Sequence, residues 1–413
     1  MSGKPDMRGS ARCAEHLRMT DWVFRLTRAR ASAHHASMQE RTIPDSTPKD
    51  FTTAASEFLN LHELVVKARQ NLNQNDWDYI VGGCESETTL RRNRLALDCI
   101  AFRPRVLRDV SAVDATVSEF GRRLRLPVVL APVGSLESFH AAGAESVARA
   151  AGEFGVAHMP SSVCDPGLEA LAKAVPSALR IYQLYVRGDA GWVDDHVERA
   201  IAHGYAGFCL TVDTAHYSRR ERDIAKRFVT AGRRRVQGRA FQAALDWHTV
   251  KRIKQRFRIP LALKGIATAE DARIALDHGV EWIYVSNHGG RQLDHGRGAM
   301  EVLPEIVEAV GARARIMIDG SFCRGTDIVK AIAAGAHLVG LGRMQCFALA
   351  AGGAAGVVRM LELLEDEVQR CFGLLGITRF AELDRSYLAP AAPANSPHVL
   401  SAFPLLKIDD YRY

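Results

Sequence analysis

The chain has 413 residues, 47% of them apolar, and a formal charge of +7; this is ample for a globular core, and apolar runs that break at strand length read as a soluble protein without a membrane span. The basic residues gather in the first forty positions and around 219–239 without interleaved aromatics, which argues against nucleic acid as a partner. Eight scattered cysteines show no C-x-x-C and no zinc spacing, which argues against a disulfide framework or structural metal and for a reducing, cytoplasmic setting.

Residues 1–50 mix Arg, Ser, His and Pro without periodicity and read as a disordered tail or as an over-long gene start, for which Met38 is the candidate true start. A targeting peptide fits less well because Asp6, Glu15 and Asp21 intrude. "LNLHELVVKARQNLNQNDWDYIVGG" then predicts a helix followed by a helix or turn, and "FRPRVLRDVS" an extended link; together they are expected to cap one end of the main domain. From residue 127 a rhythm sets in. Eight short apolar runs, "LPVVLAPVGS", "VAHMPSS", "RIYQLYV", "AGFCLTVDT", "PLALKG", "WIYVSNHGG", "RIMIDGS" and "HLVGLGR", alternate with alanine-rich helical stretches. Continuous rather than alternating apolarity fits strands covered on both faces, so the pattern predicts an α/β fold, a (β/α)8 TIM barrel with an N-terminal helical cap. The fourth and fifth runs are unusually far apart, so residues 219–245 are expected to be an insertion after strand four, forming an active-site lid. The expected organisation is a barrel domain over 51–378 and a C-terminal tail over 379–413.

Residues just past the strands of such a barrel converge on one face. That face would collect Gly134 and Ser135, Ser161 and Ser162, Gln183 and Tyr185, Thr211 and Asp213, Lys264, Ser286 with His288 and Arg291, the turn from Asp319 to Gly325, and Gly342 with Arg343. Glycines and arginines after strands seven and eight suggest a phosphate site. A neutral histidine can take a proton near pH 7, Asp213 can stabilise its imidazolium, and Arg291 can hold a carboxylate beside it. Lys264 stays open between a Schiff-base lysine, a salt-bridged structural lysine and a fixed charge beside an electron-accepting cofactor.

"VSNHGGRQLD", with "DYIVGG", "FRPRVL", "APVG", "QLYV", "LTVDT", "LKGI", "RGTDIVKA" and "GLGR" in order, resembles the FMN-dependent L-2-hydroxy acid dehydrogenase and oxidase family, which includes glycolate oxidase, lactate oxidase, flavin-type lactate dehydrogenase and mandelate dehydrogenase. The likeness runs from about residue 60 to about 375 and implies FMN as cofactor, a small 2-hydroxy acid as substrate and a homotetramer. It implies that His288 takes a proton from the substrate while Asp213 pairs with its imidazolium. Arg291 and Tyr79 would hold the carboxylate, with Tyr185 near the hydroxyl and Arg220 as a second guanidinium. Lys264 would lie against the flavin edge where negative charge accumulates. Pro132, Val133, Gly134, Ser161, Gln183, Thr211 and Ser286 would line the flavin ring and ribityl chain. Asp319, Gly320, Ser321 and Arg324, with Gly342 and Arg343, would take ribityl hydroxyls and phosphate.

The chain departs from the family pattern in places. "DGSFCRG" stands where "DGGVRRG" is usual, which puts Cys323 at the position of a phosphate-contacting arginine and leaves the phosphate to Arg343, backbone N–H groups and Arg324. An inert, packed Cys323 is expected in preference to a reactive thiol. Val163 replaces a tryptophan and Tyr217 a leucine of glycolate oxidase-like members, which implies an acid larger than glycolate. The electron acceptor stays open between oxygen, a quinone, a cytochrome and another carrier, with Gly134 leaning toward a dehydrogenase. The basic insertion is expected to be a solvated lid, with an acidic carrier protein or an anionic membrane surface as other neighbours. The competing expectations are an FMN barrel with other chemistry, such as an isomerase, and a flavoprotein that has lost turnover and serves in regulation or as a complex subunit.

Overall fold

The computed structural model describes residues 58–230, 234 and 237–407, so the expected extension over 1–50 and its Met38 start lie outside the described residues. Three helices come first: α1 (Leu61–Asn71), α2 (Gln74–Val81) and α3 (Thr88–Asp98). Asn60 and Asn73 begin α1 and α2 by accepting hydrogen bonds from Glu63 N and Asp76 N, which satisfies amide groups that lack an intrahelical partner. A strand β1 (Ile100–Phe102) and a hairpin of β2 (Val117–Glu119) and β3 (Arg122–Leu124) come next. The hairpin turns at Phe120 and Gly121, both at positive φ, the conformation that matches strand twist in a two-residue loop.

Eight parallel strands then close into a barrel: β4 (Val128–Leu130), β5 (Ala157–His158), β6 (Leu179–Leu184), β7 (Gly207–Thr211), β8 (Leu261–Ile266), β9 (Trp282–Val285), β10 (Arg315–Ile318) and β11 (Leu338–Leu341). Each predicted apolar run holds one strand, and closure comes through β11 pairing with β4. The runs are continuous because both faces are buried. In β9, Trp282 and Tyr284 join the barrel interior with Met159, Cys209 and Met317, while Ile283 and Val285 pack with the surrounding helices. The hairpin closes the end where the strands begin: Phe120 stacks on Trp282 at 4.7 Å and Glu119 pairs with Arg315. The opposite end is left to function.

Two expectations about the chain's later parts need correction. Residues 379–407 are no loose tail, because Leu388–Pro390 pairs antiparallel with β1 and Phe403 is fully buried, meeting the His62 ring edge-on at 5.6 Å. The segment Arg343–Leu375 is long and apolar enough to cross a membrane, which the strand-length reading of apolar runs overlooked. It breaks at Gly352 and Gly353, whose dihedrals leave the helical region, and buries Phe347, Leu349, Met360, Leu364 and Phe372 in the core.

The segment between β7 and β8 carries helices Glu221–Ala225, Arg239–Ala243 and Trp247–Arg256. Its first part is tied to the helical cap, while Arg219, Glu221, Ile224 and Arg227 stay exposed, as the lid expectation has it. Arg222 bonds both carboxylate oxygens of Glu87, at 2.7 and 2.9 Å, and together with Lys226 it pairs with buried Asp78 of α2.

Candidate active site

Where β9 ends, the chain turns sharply through His288, Gly289 and Gly290, at φ of 60°, 65° and 75°. Three consecutive left-handed residues explain the glycine pair, since a Cβ on Gly290 would lie 2.5 Å from the backbone N and Cα of Leu90 in α3. His288 has no such freedom and is held in an uncommon backbone state by its surroundings, with its amide donating to Ser286 Oγ at 3.0 Å. α3 grips the same loop. Asn93 and Asn287 exchange side-chain hydrogen bonds at 2.9 and 2.8 Å, and Asp294 accepts the amides of Ser86 and Thr89.

His288 bridges two groups. Its Nδ1 lies 3.1 Å from Asp213 Oδ1, and its Nε2 lies 3.3 Å from the Tyr185 hydroxyl. Burial lowers the imidazole pKa, the charges of Lys264 and Arg220 add to that, and Asp213 opposes it without winning, so the ring is neutral at neutral pH. Burial works against the Asp213 carboxylate, but His288 and then Lys264 hold it below the usual range. A neutral imidazole backed by an ionised carboxylate can take a proton at Nε2 and keep it.

Tyr79 from α2 brings its ring to 4.6 Å from the Arg291 guanidinium carbon and 5.7 Å from that of Arg220. Arg291 Nη1 donates to the carbonyls of Tyr79 and Gly82, which aims the guanidinium. Arg291 Nη2 and Arg220 Nε are buried without a hydrogen-bond partner among the described residues, and so is Ser321 Oγ. Leaving such a group unpaired costs roughly 1–3 kcal/mol, the pattern of a site built for polar atoms that the protein does not supply.

These groups line one cleft that opens to solvent. Pro132, Val133, Gly134, Val163, Tyr217, Lys264, Asp319, Gly320, Ser321, Gly342 and Arg343 all face the cleft. Lys264 is buried 3.1 Å from Asp319 and donates to Ser286 Oγ at 2.8 Å; burial lowers its pKa, but Asp319 and Asp213 outweigh that and keep it charged. Ser161, Gln183 and Thr211 do not line the cleft themselves. They form a buried chain, Ser161 Oγ to Gln183 Oε1 at 2.7 Å and Gln183 Nε2 to Thr211 Oγ1 at 2.8 Å, that joins the ends of three strands.

The residues fit FMN: an apolar slot by Pro132 and Val133, a buried ammonium, an unpaired hydroxyl at the Ser321 turn, and an arginine. Arg343 donates to the carbonyls of Ile80, Gly289 and Gly82, each at 2.9 Å, which leaves two of a guanidinium's five N–H groups for a phosphate. Arg324 is a correction. Its side chain turns from the cleft to pair with Glu367 at 2.5 Å and to reach the Ala402 carbonyl, because the last helix and the packed C-terminal segment supply closer acceptors. Cys323 is buried and its thiol is pushed up to about 12 by burial and by Asp327, in keeping with the inert reading.

Sequence reasoning missed several contributors. Arg94 of α3 clamps Asp327 with two bonds of 2.9 Å and reaches the Ser321 carbonyl at 3.2 Å, which fixes the turn expected at the phosphate. Gln242 bridges the Val186 amide and the Thr211 carbonyl, joining the exits of β6 and β7. Arg187 and Arg239 also line the cleft. Arg239 is signalled only by the basic charge of the insertion, which many solvated loops share, and Arg187 only by its place just past a strand run.

The model of the family described as "FMN-dependent dehydrogenase" matches residues 68–390. An L-lactate oxidase of Nostoc sp. is 37% identical over 363 residues, covering 81% of this chain and 99% of that protein. Glycolate oxidase 1 of Zea mays is 37% identical, covering 80% and 96%. Among solved structures, a mandelate oxidase with (S)-2-phenylpropionate superposes with a TM-score of 0.75 at 36% identity, covering 82% of this chain and all of that one. An (S)-mandelate dehydrogenase chimera gives 0.76 at 30% identity, covering 80% and 99%. With its eight-stranded barrel and a cleft that fits the flavin, the chain belongs to the FMN-dependent dehydrogenase family.

Proposed function

We propose that this chain oxidises an L-2-hydroxy acid to the 2-oxo acid at the cleft between His288 and Arg291. The observation that carries the reading is one arrangement: a neutral imidazole held by Asp213 at one nitrogen and facing Tyr185 at the other, beside two guanidinium nitrogens with no partner of their own. FMN, when bound, supplies the acceptor for the two electrons that leave the substrate's Cα–H and O–H bonds. Arg291 Nη2 and Arg220 Nε hold the carboxylate, and the flanking Tyr79 ring keeps both guanidinium groups in place. Tyr185 orients the hydroxyl. His288 Nε2 takes one proton, and the positive charge that forms is stabilised by Asp213 at Nδ1. Lys264 sets a fixed positive charge on the cofactor side, where reduction adds negative charge.

Val163 and Tyr217 on the cleft wall support an acid larger than glycolate. Oxygen as the final acceptor is supported by the oxidases among the relatives. A carrier other than oxygen is the second reading, favoured by the likeness to an (S)-mandelate dehydrogenase and by Gly134. The test is to incubate the holoenzyme in air with a panel of (S)-2-hydroxy acids, measuring 2-oxo acid by derivatisation and oxygen by electrode. Equal amounts of 2-oxo acid formed and oxygen consumed are expected. Product formed only when an artificial acceptor is added would move the reading to a dehydrogenase, and no product with any acceptor would refute it.

A further inference from the structure

We infer that the mouth of the cleft holds a second anion subsite, formed by Arg187 and Arg239, and that the acid taken carries an anionic group at its far end. This rests on the proposed oxidation of a 2-hydroxy acid and names a class within it.

Arg187 stands two residues beyond Tyr185 on the exit of β6, and Arg239 opens the helix Arg239–Ala243 of the segment between β7 and β8. Both line the same cleft as His288 and Arg291. The Arg187 guanidinium carbon is 6.0 Å from the centre of the Tyr185 ring, whose hydroxyl meets His288. That of Arg239 is 5.9 Å from the Tyr217 ring, which Arg220 approaches at 4.6 Å. The two outer arginines are thus each one aromatic ring away from the groups proposed to hold the reacting end.

Like Arg291 and Arg343 in the same cleft, this pair has no counter-charge among the described residues, and unlike them it has no carbonyl partner either. Elsewhere in the basic stretch, Arg219 pairs with Glu221, and Arg222 with Asp78 and Glu87. Neither Arg187 nor Arg239 has a carboxylate partner or a side-chain hydrogen bond among the described residues. Burial depresses the Arg187 pKa, Tyr185 opposes that and the like charge of Arg239 adds to it. The backbone holds the pair in place. Gly238, at φ 71°, packs directly against the Arg187 carbonyl, and Gln242 ties the helix of Arg239 to both strand exits. An anion placed between two guanidinium groups relieves their repulsion and gains charge-assisted hydrogen bonds. Because Arg239 is exposed, the gain falls as salt rises.

The test compares acids of equal length. Anaerobic reduction of the holoenzyme's flavin is followed with (S)-2-hydroxyglutarate and with (S)-2-hydroxypentanoate, and calorimetry compares 2-oxoglutarate with 2-oxopentanoate on the oxidised holoenzyme, where no turnover occurs. A charge-assisted contact predicts a preference for the diacid of about tenfold or more in kcat/KM and in Kd, shrinking at high salt. The same ratio falls to near one in the double variant Arg187→Met, Arg239→Met. A phosphonate in place of the far carboxylate should keep the preference if the subsite reads charge. Equal use of both acids, or a diacid preference that survives in the double variant, overturns the subsite. If neither acid reduces the flavin while 2-oxoglutarate still binds in an arginine-dependent way, the subsite stands and the proposed oxidation falls.

Discussion

Replacing Asp213 by Asn tests the relay while barely changing its shape. The carboxylate oxygens lie 3.1 and 3.3 Å from His288 Nδ1, both side chains are largely buried, and an amide keeps an acceptor oxygen within reach. What disappears is a full negative charge next to the imidazolium that forms when His288 takes a proton. Two unit charges about 4 Å apart interact by roughly 4 kcal/mol at the effective dielectric suited to such sites. Solvent and the remaining hydrogen bond return part of that, so a loss of about 2–4 kcal/mol is expected, or about 30- to 1,000-fold in the rate of flavin reduction. Asp213 also raises the His288 pKa against burial. Wild-type kcat/KM should fall as pH drops through a His288 value below the ordinary histidine range, because the base is then protonated. In Asp213→Asn that limb should move to still lower pH. Anaerobic stopped-flow absorbance across pH measures both, and calorimetry with the 2-oxo product should show binding nearly unchanged. A variant that reduces its flavin within about threefold of wild type, a change of less than 1 kcal/mol, would refute the assigned role of the pair.

Three other outcomes can be read from the geometry. Arg291→Lys removes the buried, unpartnered Nη2 and the planar fork that Tyr79 and Gly82 aim, so kcat/KM should drop by about 10- to 150-fold, the equivalent of one charge-assisted bond, mainly through KM in steady-state assays; unchanged KM would contradict it. Arg94→Ala strands buried Asp327 at the expected phosphate turn and should cost about 3–5 kcal/mol in denaturant unfolding, with weaker FMN retention on dialysis; a loss below about 1 kcal/mol would place the pair with ordinary surface bridges. Burial of Cys323 and a thiol pushed up to about 12 predict that thiol reagents at pH 8 leave it unmodified until the chain unfolds, as read by peptide mass mapping; labelling of the native holoenzyme would show the turn opening.

The barrel was legible because its strands are buried on both faces and therefore appear as unbroken apolar runs, of which "WIYV" is the plainest. The strand-end rule gathers His288, Asp213, Tyr185 and Lys264 from distant positions; in the structure His288 lies within 3.1 Å of Asp213 and 3.3 Å of Tyr185, and Lys264 meets Ser286 at 2.8 Å. What stayed hidden depended on direction rather than identity. Arg324 sits at the expected turn yet faces Glu367, a partner 43 residues onward that no local pattern reveals. Arg94 comes from a helix outside the barrel and acts through Asp327, and Gln242 works through backbone atoms. Residues 379–407 lack helical or strand periodicity and read as a tail, although Val399, Leu400, Phe403 and Leu406 fill the core. The glycine pair at 352–353 splits a long apolar helix, and sequence alone does not show that its faces are covered by protein.

The most direct measurement is anaerobic. The purified holoenzyme is mixed with (S)- and (R)-2-hydroxy acids and its visible flavin band is followed, with His288→Gln alongside. (S)-acids should bleach the band and (R)-acids should not, and the variant should keep the oxidised spectrum yet bleach more slowly by about 10²-fold or more. A flavin that no 2-hydroxy acid bleaches, or one that bleaches equally fast without His288, would contradict the proposed oxidation through His288.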